Sequence, residues 1–242
     1  MTEPRRRVIV KASDVVVDYI LELLLTGKLR VGDRIDLDAL ASELELSRVP
    51  IREALAQLER DGIVTTPHHR GAYVSAFDAG TVREAVELYA LLNGLTTTRV
   101  AERRDKDVIR ALEQLQSTIA ATGELAEFET LAREFRRVIN VAGSGPHLRA
   151  LIRTFRGLLP AVSRIGMPRA MEKEKEYIAQ ELAAIRRGSA AAAARAAVEH
   201  IRYSGQCGIE ELVRTGVLTA EDQATAPAST AHLLRIISSF EA

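Results

Sequence analysis

The chain has 242 residues, with 33 Lys and Arg against 33 Asp and Glu and a single cysteine, Cys207. This balance by itself points to neither nucleic acid nor membrane, and one cysteine excludes an internal disulfide and fits a reducing compartment. Apolar residues make up 47% and aromatics only 4%, a mix that favours a mostly helical chain long enough for two modest domains.

The N-terminus, MTEPRRRVIVK, carries charge but lacks the apolar core and small-residue site of a signal peptide. No apolar run approaches the roughly 20 residues needed to cross a bilayer. A soluble, cytoplasmic protein without a membrane partner is expected. From Ser13 to Thr26 the apolar residues fall at helical spacing, and Gly27 is a stop. LRVGDRID reads as a turn. Leu37 to Leu44 reads as a short helix burying Leu37, Leu40 and Leu44. Next comes LSRVPIREALAQLERDGIV, where Ser47 is the expected N-cap, Pro50 sits harmlessly in the first turn, and Gly62 closes the helix. Ile51, Leu55 and Leu58 form its apolar face. IVTT and AYVSAF, joined by PHHRG, read as a hairpin. Helix, helix, turn, helix, hairpin is the plan of a winged helix-turn-helix.

Beyond residue 80 the pattern is helical to about residue 215. We expect about six helices, over 81–102, 105–122, 125–142, 146–165, 168–187 and 189–214. SAAAAARAAV reads as a closely packed helix rather than disorder. The fold class is therefore mostly α, with an N-terminal winged helix-turn-helix and a C-terminal all-α helical bundle. The expected boundaries are a winged helix-turn-helix domain over 1–76, a linker over 77–80, a helical domain over 81–215 and a tail over 216–242. In that tail Leu233, Leu234, Ile236, Ile237 and Phe240 would form a short docking helix.

Arg48 and Arg52 lie one turn apart at a helix N-terminus, where the helix dipole disfavours cations. Either they form a solvated face paired with Glu45, Glu53 or Glu59, or a polyanion receives both guanidinium groups and the first-turn amides. Residues 1–76 hold 11 Lys and Arg against 12 Asp and Glu, so the domain is not basic overall. Its cations are placed instead: Arg5, Arg6 and Arg7 in an arm, Arg48 and Arg52 at the helix start, and Arg70 beside His68 and His69 at the hairpin tip.

The stretch GDRIDLDALASELELSRVPIREALAQLERDGIVTTPHHRGAYV closely resembles the DNA-binding domain of GntR-family bacterial transcription regulators. VREAVELYALLNG, EFRRVINVAGSGPHLRALI and ELAAIRRGSAAAAARAAVEHI resemble, more loosely, the FCD-type effector domain of the FadR subgroup. The resemblance implies that 1–76 is the DNA-binding domain and 81–215 the effector-binding and dimerisation domain, and it implies a homodimer on a short inverted repeat of double-stranded DNA. Ser47, Arg48, Val49 and Arg52 would meet phosphates and bases in the major groove, with Val49 standing where some relatives carry a polar residue, so that one contact is either absent or apolar. His68, His69, Arg70 and Gly71 would form the wing. Gly71 either supplies turn freedom or is an ordinary loop glycine.

Many FCD domains hold a divalent metal through one Asp and three His. The matching positions here are Ala132, Arg136, Ile178 and His200, so one ligand of four remains and no metal or other cofactor is expected. Arg136 would hold an anionic effector, pair with Glu134 or another acid, or face solvent. Tyr89, Asn93, Asn140, Tyr177 and His200 are the other candidate effector contacts. With fewer charges there, the pocket would suit a carboxylate or fatty acyl ligand. The expected function is a transcription regulator, a repressor, whose DNA affinity a small anionic or acyl metabolite modulates. The alternative is an architectural or dimerising DNA-binding protein with a decayed pocket. No Ser-His-Asp order, paired-acid motif or phosphate loop points to an enzyme.

Overall fold

The computed structural model describes residues 11–67, 71–75, 77–155 and 157–219. The arm, the hairpin tip at 68–70 and the expected docking helix beyond 219 lie outside the described residues. The chain divides into two compact units between Phe77 and Asp78.

The first unit runs α1 (Ala12–Leu25), β1 (Arg34–Ile35), α2 (Leu37–Glu43), α3 (Arg48–Arg60), β2 (Val64–Thr65) and β3 (Ala72–Val74). Asp36 caps α2, its Oδ1 accepting from the amides of Asp38 and Ala39 at 2.9 and 3.0 Å. Val16, Ile20, Leu21 and Leu24 of α1 are buried, as are Ile51, Ala54, Leu55 and Leu58 of α3. Burying each large aliphatic side chain contributes roughly 1.5–3 kcal/mol. Gly62, at φ 75, ends α3. Its amide reaches Glu59 O at 3.1 Å while the Ile63 amide reaches Leu58 O at 2.9 Å, the paired bonds of a Schellman motif. The sheet has the order β1-β3-β2 and is antiparallel, with Arg34 opposite Tyr73 and Thr65 opposite Tyr73 on the other side. Sequence reading placed LRVGDRID in a turn. The structure makes Arg34–Ile35 a third strand, with Ile35 buried and paired with Ala72 on β3.

The second unit holds α4 (Ala79–Arg103), α5 (Lys106–Ala121), α6 (Leu125–Gly143), α7 (Pro146–Thr154), α8 (Leu158–Arg187) and α9 (Ala190–Arg214). Its core includes Leu112, Ile119, Phe128, Phe135, Ile139, Ile178 and Ile185. Phe77 is buried and Asp78 caps α4, accepting from the Thr81 amide at 2.7 Å, so no separate linker spans 77–80. The expected break between 165 and 168 is also absent: Pro168 lies inside α8. Proline removes one helical hydrogen bond, but α8 continues because α9 packs closely against it. A Cβ on Gly166 would come within 2.6 Å of the Cys207 carbonyl carbon, and one on Gly208 within 2.4 Å of Val162 O. The helix instead starts at Leu158, with Leu158 and Leu159 buried and Pro160 in its first turn, where proline is harmless. The alanine-rich string forms the start of α9 and buries Ala193, Ala194 and Ala197.

Candidate nucleic-acid interface and a buried polar cluster

Ser47 occupies the N-cap of α3 with extended backbone, φ −69 and ψ 165, and its hydroxyl makes no cap hydrogen bond. Arg48 and Arg52 are exposed, and so is Val49 between them, at 65%. Ile51, Leu55 and Leu58 on the other face anchor the helix in the core. Arg48 Nη2 donates to Asp38 Oδ1 at 2.6 Å, with both side chains largely exposed (67% and 73%). None of the three acids weighed in the sequence is this partner. Glu59, for one, accepts from the Thr66 amide at 2.8 Å and hydroxyl at 2.5 Å, tying α3 to the residue that follows β2.

Arg34, Asp36, Asp38, Arg48, Arg52 and Gly71 border one recess of about 430 Å³. Gly71 has φ 92, and a Cβ there would lie 3.2 Å from Arg34 Nε. Both observations explain the glycine, by conformation and by close approach. Sequence reading missed Arg34. No local signal marked it: Arg34 is exposed and Ile35 buried where β1 pairs with β3. His68, His69 and Arg70 lie outside the described residues.

In the helical unit, Arg136 of α6 pairs with Glu181 of α8 through two hydrogen bonds, Nη1 to Oε1 at 2.8 Å and Nη2 to Oε2 at 2.6 Å. His200 of α9 lies between two acids, with Nε2 2.6 Å from Glu174 Oε2 and Nδ1 3.4 Å from Glu181 Oε2. Thr97 of α4 donates to Glu181 Oε1 at 3.1 Å. Glu174, Glu181 and His200 are all buried. Burial pushes the Glu181 carboxyl up, but Arg136 and then His200 more than reverse this and bring it to about 2. Burial likewise opposes charge on His200, yet Glu174 and Glu181 outweigh it and raise the imidazole to about 9. The protonated ring donates from both nitrogens. The 3.2 Å approach of Arg136 Nη2 to His200 Nδ1 is then a contact of two donors sharing Glu181, not a hydrogen bond.

Of the candidate effector residues, Arg136, Tyr177 and His200 come together, with Tyr177 stacked on His200 at 5.8 Å and 6° between planes. Asn93 is buried and donates to Tyr89 O at 2.7 Å. Asn140 accepts from the Thr96 hydroxyl at 2.9 Å. The Tyr89 ring lies 5.7 Å from that of Phe155. The Oδ1 of Asn93 and Oε1 of Glu174 are buried without a hydrogen-bond partner.

Two family models match the chain: "Bacterial regulatory proteins, gntR family" over residues 12–74 and "FCD domain" over 84–203. Over 215 residues it is 39% identical to an uncharacterized HTH-type transcriptional regulator, Rv0043c, of Mycobacterium tuberculosis, covering 89% of this chain and 88% of that protein. The chain belongs to the GntR family. It is a DNA-binding transcription regulator with an FCD domain. The "Nta operon transcriptional regulator" of Aminobacter aminovorans is 31% identical over 102 residues, 42% of this chain and 49% of that one. Among solved structures, E. coli McbR/YncC shares the fold with a TM-score of 0.61 at 19% identity, over 85% of this chain and 99% of that one.

At the positions where FCD domains carry metal ligands, this GntR regulator has other chemistry. Ala132 and Ile178 pack in the apolar core. Arg136 brings a cation, and both His200 nitrogens face carboxylates. This donor set does not fit a divalent ion. The expectation of a less charged interior was wrong: sequence reading missed Glu174 and Glu181. They stand seven apart, two turns along one face of α8 and in line with Ile178, so acids in an otherwise apolar stripe were the available signal. Of the alternatives weighed for Arg136, an anionic effector or an acid of the chain itself, the structure has the acid: Glu181 meets both terminal nitrogens.

Proposed function

We propose that the α3 tip reads base edges in the major groove of an inverted repeat, as part of a cytoplasmic homodimer that represses transcription. Ser47 and the first-turn amides meet phosphate, Arg48 and Arg52 take guanine edges, and the exposed Val49 meets a thymine methyl. Gly71 and the wing residues His68, His69 and Arg70 approach the minor groove, and Arg34 adds a phosphate contact beside them. The observation that carries this reading is the recess bordered by Arg34, Arg48 and Arg52, three guanidinium groups from two elements of one small unit. Arg48→Ala and Arg52→Ala should each weaken binding to the cognate duplex by about 1–3 kcal/mol and relax its sequence preference. Unchanged preference in a shift assay at fixed salt would refute those roles.

The helical domain binds a small carboxylate or acyl effector beside Arg136, Tyr177 and His200, with Tyr89, Asn93 and Asn140 around them. Such a ligand changes DNA affinity only through a difference in its affinity for two arrangements of the dimer, and a carboxylate must take Arg136 over from Glu181. The bidentate Arg136–Glu181 pair also favours a second reading, an architectural DNA-binding protein whose effector site is filled by its own side chains. A thermal-shift screen with organic acids and acyl-CoAs separates the two. A saturable shift lost in Arg136→Met supports sensing, and no shift with any of them supports the architectural reading.

A further inference from the structure

Asp38, like Asp36, is an acid on the recess that the proposed DNA reading turns toward a polyanion. It stands in the first turn of α2, placed there by the Asp36 cap, and its carboxylate meets Arg48 Nη2 at 2.6 Å. The pair is too exposed to hold the fold together: solvent-facing ion pairs contribute little to stability. Of the three guanidinium groups bordering the recess, Arg48 alone is in an ion pair among the described residues.

The arrangement has two consequences for DNA reading. A long arginine side chain loses rotamer freedom when it takes up a base contact. Asp38 restricts Arg48 before DNA arrives, so less freedom is lost in the complex. A carboxylate at this point also repels phosphate, and it repels every duplex alike, whatever the sequence. A matching base recovers the loss through the directed Arg48 contact, and a mismatched one does not. Resting on the reading of Arg48 as a base contact, we propose that Asp38 is a positioning and specificity-determining residue. It orients Arg48 and weakens binding to non-cognate DNA. A purely local role is the competing account: an acid near a helix N-terminus stabilises the helix through its dipole and would have no bearing on sequence preference.

The test uses the full-length protein. A duplex is selected by wild type from a random-sequence library, and its affinity and that of a scrambled duplex are measured by fluorescence anisotropy across a salt series, for wild type, Asp38→Asn and Asp38→Glu. For Asp38→Asn the scrambled duplex should bind several-fold tighter. The ratio of the two affinities should fall about tenfold, and the salt dependence on scrambled DNA should steepen by about one ion released. Asp38→Glu should keep most of the ratio, because the charge and the arginine partner remain. An Asp38→Asn ratio within threefold of wild type overturns the proposal, with or without a change in melting temperature. If wild type itself selects no preferred sequence, the base-reading role of Arg48 falls, and this inference with it; a strong wild-type preference kept in Asp38→Asn removes only the role given to Asp38.

Discussion

Raising the pH should loosen the helical unit through one side chain, His200. Its imidazole is lifted from an ordinary 6.5 to about 9 by Glu174 and Glu181 acting against burial. At about 1.4 kcal/mol per pH unit, that difference corresponds to roughly 3 kcal/mol of folding free energy. The sign follows from proton binding. The folded state holds the proton more tightly than the unfolded chain, so the contribution is fully present below pH 6.5 and is lost as pH rises through about 9. Calorimetric unfolding of the full chain at steps from pH 6 to 9.5 should show the helical transition falling with a slope of up to one proton. In His200→Gln that transition should be less stable at pH 6 and nearly insensitive over the same range. An NMR titration of the His200 ring reports the same value directly. Equal pH slopes in wild type and His200→Gln, or a ring that titrates near 6.5, would refute the account of the cluster.

Glu181→Gln leaves the buried Arg136 without its bidentate acid and should cost about 3–5 kcal/mol, measured by denaturant unfolding; a loss under 1 kcal/mol would mean that the pair is not buried as described. The depressed Glu181 carboxyl gives the opposite pH arm, a contribution present above about 4.5 and lost as pH falls toward about 2, visible as an acid shoulder that Glu181→Gln lacks. Gly208→Ala places a methyl 2.4 Å from Val162 O, so α8 and α9 must part, at a cost of about 1–3 kcal/mol. Gly71→Ala forces a side chain into a left-handed backbone against Arg34. It should weaken DNA binding while leaving the melting of the helical unit unchanged.

What the sequence made legible followed local rules. The α3 helix could be read because its N-cap, its apolar stripe and its glycine stop all agree, and the long helices α4, α5 and α6 ended within about three residues of their expected bounds. The failures came where a distant partner overrode a local signal. Ile35 and Arg34 look like a turn until Ala72 and Tyr73 are brought alongside. Pro168 looks like a helix break until Gly166 and Gly208 lock α8 against α9. The ion pair of Arg48 escaped for the same reason: Asp38 is ten residues away, on another helix, and no periodicity within one helix can link them.

The interior of the helical unit shows a different kind of limit. Position by position, the FCD resemblance says which metal ligands are missing, and Tyr89 and Asn93 suggest an interior with fewer charges. The structure has the reverse, since Arg136, Glu174, Glu181 and His200 join α6, α8 and α9 through charge. The physical reason lies in electroneutrality. A buried cation is tolerated only with a matching anion and satisfied hydrogen bonds, so a guanidinium placed at position 136 requires an acid within reach, here Glu181. The second base, His200, is charged because Glu174 on its far side and Glu181 together outweigh burial. Two acids and two bases make a set that is neutral as a whole, though no member could be buried alone. It follows that single substitutions here should be strongly non-additive. Removing Arg136 and Glu181 together, as Met and Leu, should cost less than removing Glu181 alone, and a double-mutant cycle in denaturant measures that difference.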